Sequence, residues 1–105
     1  MIHSIMRASE DVIYGSHLLE VVDVTFDNLV KLFGEPHVIN AHDKTDASWY
    51  LLVDGHIMTI YNWKDGKNYL GEDGLNIEDI TSWHIGGFDN HQGRILKRYI
   101  QSSMN

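Results

Sequence analysis

Hydrophobic and polar positions change their period several times along the chain, and each change predicts a new element. Residues 17–24, HLLEVVDV, are rich in aliphatic and β-branched side chains, which predicts a strand. Thr25 then offers an N-cap, and apolar residues recur at helical spacing until Gly34 and Pro36, which predicts a short amphipathic helix. The recurring residues are Phe26, Leu29, Val30 and Phe33. Because a helix of two turns is not stable alone, this apolar stripe must pack on another element.

The clearest local signal is the segment 47–63, ASWYLLVDGHIMTIYNW, where two β-rich runs flank Asp54-Gly55. This dipeptide tolerates the positive φ angles of a two-residue hairpin turn. We therefore predict antiparallel strands at 47–53 and 56–63. The expected cross-strand pairs are Val53 with His56, Leu51 with Met58, Trp49 with Ile60, Leu52 with Ile57, Tyr50 with Thr59, and Ser48 with Tyr61.

This register makes the hairpin apolar on both faces. The first face carries Trp49, Leu51, Val53, Met58 and Ile60, and it matches a core covered by helices. The second face carries Tyr50, Leu52, Ile57, Tyr61 and Trp63. Sheets that are open to water on one side usually alternate apolar with polar residues, so the second face needs a cover. The candidate covers are the N-terminal segment, a second copy of the chain, and a ligand or partner.

The remaining third of the chain completes the predicted fold. Residues 64–81 contain three glycines and predict a long ordered loop with a turn of helix near Ile77. SWHIGG at 82–87 predicts another strand, and Asp89 can cap a final helix. The apolar stripe expected on that helix is Ile95, Leu96, Tyr99 and Ile100. The order predicts an α+β fold, with a small antiparallel sheet built on a central β-hairpin and two helices packed on one face.

Length and composition limit the functions that the chain can have. With 105 residues, 43% of them hydrophobic, the chain suits one domain spanning 1–105. Its formal net charge of −7 argues against non-specific nucleic-acid binding, which depends on Lys and Arg neutralising phosphates. The absence of cysteine excludes a disulfide scaffold and a thiolate nucleophile. No apolar run reaches the roughly 20 residues that span a bilayer, so we expect a soluble, cytoplasmic protein without a membrane partner.

The usual signatures of catalysis and metal binding are missing from the sequence. It contains no P-loop, dinucleotide-binding fingerprint, nucleophile elbow or HExxH motif. The acidic loop 65–73 does not fit an EF-hand, because Lys67 and Tyr69 stand where calcium needs oxygen ligands. The seven histidines include no i, i+4 pair. We therefore expect no metal site, no cofactor and no enzymatic activity.

His84 is the one histidine that is flanked by features of a binding site. Trp83 precedes it, and Gly86-Gly87 follow it, where the chain can approach another group closely. Three roles are open for His84: a buried structural residue, a ligand contact, or a catalytic base. As a base, it would take Asp65 or Asp89 as its partner in a small hydrolase or nucleotide-modifying enzyme.

The segment 60–67, IYNWKDGK, combines aromatic and basic residues beside a turn signal. In one interpretation Trp63 closes the edge of the core and Lys64 is solvated. In the other, the rings form a platform with nearby cations, suited to stacking a ring and pairing with a phosphate. The residues that we predict to bind a ligand or partner are Tyr50, Tyr61, Trp63, Lys64, Lys67, Tyr69, Trp83, His84 and Arg94.

These motifs resemble a family of small proteins encoded mainly by bacteriophages. The shared features are a tryptophan strand, a D-G turn, the sequence TIYNWK, a YLG loop and a closing WHIGG, after a helix that ends in Gly-x-Pro. The matching residues are Trp49, Asp54, Gly55, Thr59, Ile60, Tyr61, Asn62, Trp63, Lys64, Tyr69, Gly71, Trp83, His84, Ile85, Gly86 and Gly87. The resemblance spans residues 23–100 and leaves 1–16 outside. It implies a bacteriophage setting without a particular mechanism.

A small acidic phage protein without catalytic signatures is expected to be an accessory factor in the host cytoplasm. The main expectation is counter-defence by binding, either inhibition of a host immune protein or sequestration of a nucleotide-derived immune signal. The signal would bind near Tyr61, Trp63, Lys64 and His84, and a homo-oligomer interface would complete the site. The alternatives are the small enzyme based on His84 and a structural or oligomerisation module of a phage.

Overall fold

Antiparallel strands and helices make up the computed structural model, which describes residues 2–9, 15–42 and 44–104. The strands are β1 (Ile5–Arg7), β2 (His17–Asp23), β3 (Val38–His42), β4 (Thr45–Val53), β5 (His56–Tyr61) and β6 (Ser82–Gly87). The helices are α1 (Phe26–Phe33), α2 (Lys67–Leu70) and α3 (Asn90–Ser103), with short 3₁₀ turns at Gly71–Asp73 and Ile77–Asp79. The predicted α+β class with an antiparallel sheet is confirmed.

All six strands belong to one sheet in the order β1-β4-β5-β6-β2, and β3 also pairs with β4. β1 pairs with the end of β4 at Leu51–Val53, whereas β3 pairs with its beginning, up to Ser48. The two short strands therefore share one edge of β4, and β2 forms the opposite edge of the sheet. The sequence pattern predicts neither β1 nor β3. The three residues of β1 are too few to show a period, and a bulge interrupts the pairing of β3.

The central hairpin has the predicted register at all six pairs, from Ser48 with Tyr61 to Val53 with His56. Asp54 and Gly55 form the turn with φ angles of 50° and 81°, as the Asp-Gly dipeptide indicates. The second strand is shorter than expected, because β5 ends at Tyr61 rather than at residue 63. The backbone beyond Tyr61 leaves the ladder and begins the loop that carries Trp63.

The core lies against the first face of the hairpin. β6 adds Trp83 and Ile85, α1 adds Leu29 and Phe33, and α3 adds Leu96 and Ile100 to one buried cluster. The Trp49 and Trp83 rings meet edge to face with their centroids 5.5 Å apart. Each indole N–H donates to a backbone carbonyl, Trp49 to Gly34 at 2.8 Å and Trp83 to Ile80 at 3.1 Å. These bonds satisfy the polar ends of both buried rings.

The two longer helices begin at the predicted caps. The Thr25 hydroxyl accepts a hydrogen bond from the Asn28 N–H, and the Asp89 carboxylate accepts one from the Gln92 N–H. Gly93 allows α3 to approach β2, since a Cβ atom there would lie 2.8 Å from the Leu19 Cβ. The prediction that Tyr99 belongs to the apolar stripe of α3 is wrong, because its side chain is 37% exposed. None of the described helices is long and apolar enough to cross a membrane.

Residues 5–7 of the N-terminal segment form β1, which extends the sheet along one edge of β4. The Arg7 guanidinium donates to the carbonyl of Phe33 at 2.6 Å, at the end of α1, and to that of Glu35 at 2.7 Å, just beyond it. The Asp54 carboxylate accepts bonds from the N–H groups of His3 and Ser4. Residues 5–7 therefore do not supply the predicted cover of the second face, while residues 10–14 lie outside the described residues.

We expect Arg7→Ala to lower the free energy of unfolding by about 1 to 2 kcal/mol, because two charge-assisted bonds that tie β1 to the end of α1 are lost. Hydrogen exchange of the Ala8 amide, which donates to the Tyr50 carbonyl, should become faster. Met6→Ala on the same strand is the matched control, since the Met6 side chain is 60% exposed. Equal effects of the two substitutions would contradict the anchoring role of Arg7.

Candidate functional site

The second face of the sheet, called here the open face, is made of the side chains that point away from the core cluster. By strand register it comprises Met6, Tyr50, Leu52, Ile57, Thr59, Tyr61, Leu18, Val21, His84 and Gly86. Its rim is exposed, with Met6 at 60%, Leu18 at 49% and Val21 at 42%. The face therefore presents apolar surface to solvent on the outer strands of the sheet.

His37 covers one predicted site residue, Tyr50. The two ring centroids are 5.2 Å apart, and the Tyr50 N–H donates to the His37 Nδ1 at 3.2 Å. Burial and the nearby Arg7 charge lower the pKa of His37. Tyr50 is buried, so it supports the face and presents little of its ring to a ligand.

A row of three rings crosses from the open face into the following loop. The His84 and Tyr61 centroids are 5.3 Å apart, and the Tyr61 and Trp63 centroids are 6.2 Å apart, both edge to face. His84 and Tyr61 are paired on neighbouring strands, so the sheet itself fixes their contact. Trp63 lies beyond the end of β5 and depends on the loop for its position.

Two lysines complete this row. The Lys44 and Lys64 ammonium nitrogens lie 5.7 Å and 5.8 Å from the Trp63 ring centroid, and Lys64 also lies 5.5 Å from the Tyr69 centroid. These distances fall within the range of cation–π attraction. We call Lys44, Tyr61, Trp63, Lys64, Tyr69 and His84 the aromatic–lysine cluster. It places positive charge beside accessible ring surface, since Trp63 is 40% and Tyr69 is 46% exposed.

The side chain of Asn62 fixes the loop that carries this cluster. Its Oδ1 accepts hydrogen bonds from the backbone N–H groups of Asp46 at 2.7 Å and Ala47 at 3.2 Å. Its Nδ2 donates to the carboxylates of Asp46 at 2.8 Å and Asp65 at 3.0 Å. Asn62 is fully buried and has all of these partners, so it holds the end of β5 against the beginning of β4.

Further hydrogen bonds attach the same loop to β4. The second Asp46 carboxylate oxygen accepts from the Asn68 N–H at 3.3 Å, and the Asn68 side chain donates to the Thr45 carbonyl at 3.1 Å. A Cβ atom at Gly66 would overlap the Asp46 carboxylate, so only glycine fits there. The loop is thus tied to β4 on both sides of Lys64.

Lys64 has an unusual backbone conformation for its residue type. Its φ angle is 62°, in the left-handed region, and its N–H donates to the Lys44 carbonyl at 2.8 Å. A side chain other than glycine, asparagine or aspartate in this region costs on the order of 1 kcal/mol. The surrounding bonds maintain this conformation, which directs the lysine side chain to the two rings.

The electrostatics of the row follow from burial. Desolvation lowers the pKa of His84, and the nearby Asp65 carboxylate partly opposes this by raising it. Burial also raises the pKa of Tyr61. Both groups are therefore neutral near pH 7, and the lysines supply the positive charge of the cluster.

The structure brings five of the nine predicted site residues together: Tyr61, Trp63, Lys64, Tyr69 and His84. Trp83 lies outside the cluster, because neighbouring strand residues face opposite sides and its ring is fully buried in the core. Lys67 begins α2 and Arg94 lies on the exposed side of α3, so neither takes part in the ring contacts. Asp89 caps α3 and has His56 and His91 as its electrostatic neighbours, whereas Asp65 is the carboxylate near His84.

Sequence reasoning missed Lys44, Asp46 and Asn62. Continuing the predicted hairpin register past Ser48 and Tyr61 would have placed residues 44–46 beside residues 63–65. That extension was the available signal for Lys44. The role of Asn62 carried no such signal, because an asparagine after a strand is equally typical of a solvated turn.

The described residues contain no group of three or more His, Asp or Glu side chains placed to hold a metal ion. Comparisons of the chain with protein-family models, curated proteins and solved structures found no match. The resemblance to the bacteriophage family therefore stays a prediction.

We expect Asn62→Ala to lower the free energy of unfolding by roughly 2 to 4 kcal/mol, because it removes the side-chain partner of two backbone N–H groups and of one oxygen of the buried Asp46 carboxylate. Chemical denaturation measures this loss. Asn76→Ala is the control, since Asn76 is exposed and its side chain makes no capping bond. A loss as small as that of Asn76→Ala would show that the buried network does not hold the loop.

We expect Asp65→Asn to lower the pKa of His84 further, because it removes the charge that raises it. Titration of the histidine ring protons by NMR measures the change, with His37 as an internal reference whose pKa should stay constant. Because burial lowers the pKa of His84 below 6.5 in the folded protein, the unfolded chain binds a proton at this residue more readily. The free energy of unfolding should therefore decrease as the pH falls from 6.5 towards the folded-state pKa of His84. An unchanged His84 pKa would place Asp65 outside its electrostatic range.

Proposed function

We propose that the protein is a non-catalytic bacteriophage accessory protein of the host cytoplasm, and that it counters antiviral defence by binding. Its target is a host immune protein or a nucleotide-derived immune signal. The observation that carries the proposal is the aromatic–lysine cluster, where two ammonium groups lie within 5.8 Å of the partly exposed Trp63 ring. Exposed aromatic residues beside cations are enriched at binding surfaces.

The open face supports binding in a second way. The exposed side chains of Met6, Leu18 and Val21 lie on its outer strands, and Tyr61 with His84 connect the face to the cluster. Exposed apolar side chains on one face of a sheet are typical of protein interaction sites. This observation favours inhibition of a host immune protein as one form of the proposal, and a second copy of the chain would use the same surface.

The nearness of Asp65 to His84 favours one alternative, a small hydrolase or nucleotide-modifying enzyme with His84 as its base. The lowered pKa of His84 leaves the imidazole neutral at pH 7, as a general base requires. A hydrolytic enzyme of this kind also needs a nucleophile or an activated water. Mass analysis of any bound compound separates this alternative from binding, because an enzyme releases an altered product.

Native mass spectrometry of the protein, purified from phage-sensitive bacteria with and without an active defence system, tests the proposal. We expect an added mass that appears only with the active system, either a small molecule or a host protein. Recovery of a chemically altered small molecule would support the enzyme instead. An unmodified protein mass under both conditions, across a panel of defence systems, would contradict counter-defence by binding.

The matched variants Tyr69→Ala and Tyr99→Ala connect the cluster to this function. Both tyrosines are partly exposed, but only Tyr69 lies beside Lys64. We expect expression of the wild-type chain to raise phage plating on a defended strain, and Tyr69→Ala to lose most of that gain while Tyr99→Ala keeps it. Equal plating for the two variants would remove the cluster from the proposed function.

A further inference from the structure

We propose that the aromatic–lysine cluster binds a small nucleotide, with its phosphate at Lys44 and Lys64 and its base stacked on Trp63 or Tyr69. This inference rests on the proposed function and specifies its ligand. It selects the nucleotide over the host protein as the occupant of the cluster.

The charges of the cluster indicate an anionic ligand. The two ammonium groups lie 5.7 Å and 5.8 Å from one ring centroid, so like charges are held beside the same indole. Two positive side chains beside one ring attract an anion more strongly than one does. A phosphate carries the required charge and presents several oxygens to the lysine donors.

The rings indicate the other part of the ligand. Trp63 and Tyr69 are 40% and 46% exposed, and Lys64 lies near both rings. Exposed aromatic faces beside lysines are the means by which proteins stack nucleobases and hold the attached phosphate. A nucleotide matches both groups at once, whereas a free phosphate leaves the rings unused and a free base leaves the charges unused.

The cluster is also organised before any ligand binds. The buried Asn62 and Asp46 side chains fix the loop, and Lys64 is held at a φ angle of 62° that lysine seldom adopts. Residues in such conformations are retained where the surrounding structure imposes them, and they concentrate at binding sites. Glycine at position 64 would remove the backbone strain together with the positive charge. A loss of binding in this variant therefore cannot be attributed to a loss of stability.

The charge of the whole chain indicates a small ligand rather than a polymer. The 15 acidic residues outnumber the 8 lysines and arginines, giving a net charge of −7. A polynucleotide would extend beyond the two lysines and meet this negative field, whereas a mononucleotide places its phosphate only at the cluster.

Isothermal titration calorimetry with four probes tests the ligand class: the ribonucleoside 5′-monophosphates, the matching nucleosides, inorganic phosphate and an oligothymidylate. We expect at least one monophosphate to bind roughly tenfold more tightly than its nucleoside, and more tightly than inorganic phosphate. Its affinity should fall as the salt concentration rises. Preferential binding of the oligothymidylate would overturn the choice of a small nucleotide, and equal affinity for nucleotide and nucleoside would overturn the role of the lysines.

Lys64→Gly is the decisive variant, and Lys31→Ala on α1 is its control. We expect Lys64→Gly to reduce the affinity for that monophosphate about threefold and to leave it above that of the nucleoside, because Lys44 still contacts the phosphate. The thermal midpoint should not fall appreciably, because glycine accepts the left-handed conformation. Lys31→Ala, an exposed lysine in the last turn of α1, should bind as the wild type does. Unchanged affinity in a folded Lys64→Gly variant would overturn the site.

The two proposals fail in distinguishable ways. If no monophosphate binds but Tyr69→Ala still loses protection in the plating assay, the ligand class is wrong and counter-defence through the cluster stands. If a monophosphate binds and neither protection nor a defence-dependent bound mass is found, the site is right and the counter-defence function is wrong.

Discussion

Asn62 is buried where β5 ends, and its amide group bonds to two backbone N–H groups of β4 and to two carboxylates. A buried amide is costly unless all of its donors and acceptors have partners, so this position tolerates little change. β5 ends at Tyr61, and the Asn62 bonds hold the following residues against Asp46. Trp63 and Lys64 come next in the chain, so the bonds of Asn62 determine where they lie. The candidate site is therefore a consequence of one buried polar network at the end of a regular hairpin.

One face of the sheet forms the core, and the other leads to the candidate site. Trp83 and His84 are neighbours in sequence, yet the pleat sends Trp83 into the core and His84 to the open face. The Trp83 ring helps to close the core under α1 and α3, and the His84 ring joins the row that leads to Trp63. Stability and the candidate site thus use alternate residues of the same strand. This separation allows cluster residues to change without removal of core contacts.

The hairpin and its register were predictable because a period of two and the Asp-Gly turn are local properties of the sequence. The caps Thr25 and Asp89 were predictable for the same reason. β1 was not, since its pairing with Leu51–Val53 joins residues far apart in the chain. Within the site, the face of Tyr61 followed from the hairpin register, and extending that register indicates Lys44 beside Trp63. The bonds of Asn62 to Asp46 and Asp65 do not follow from the register. Long-range polar contacts of this kind leave no periodic signal.

The three tryptophans provide the most direct test of the claim that the aromatic–lysine cluster is a nucleotide site. The indole N–H groups of Trp49 and Trp83 are bonded to carbonyls in the core, and only Trp63 is exposed. NMR spectra of the ¹⁵N-labelled protein report one indole resonance for each. On addition of a ribonucleoside monophosphate, we expect a concentration-dependent shift of the Trp63 resonance while the other two stay in place. An unmoved Trp63 resonance at saturating nucleotide would contradict a nucleotide site in the cluster.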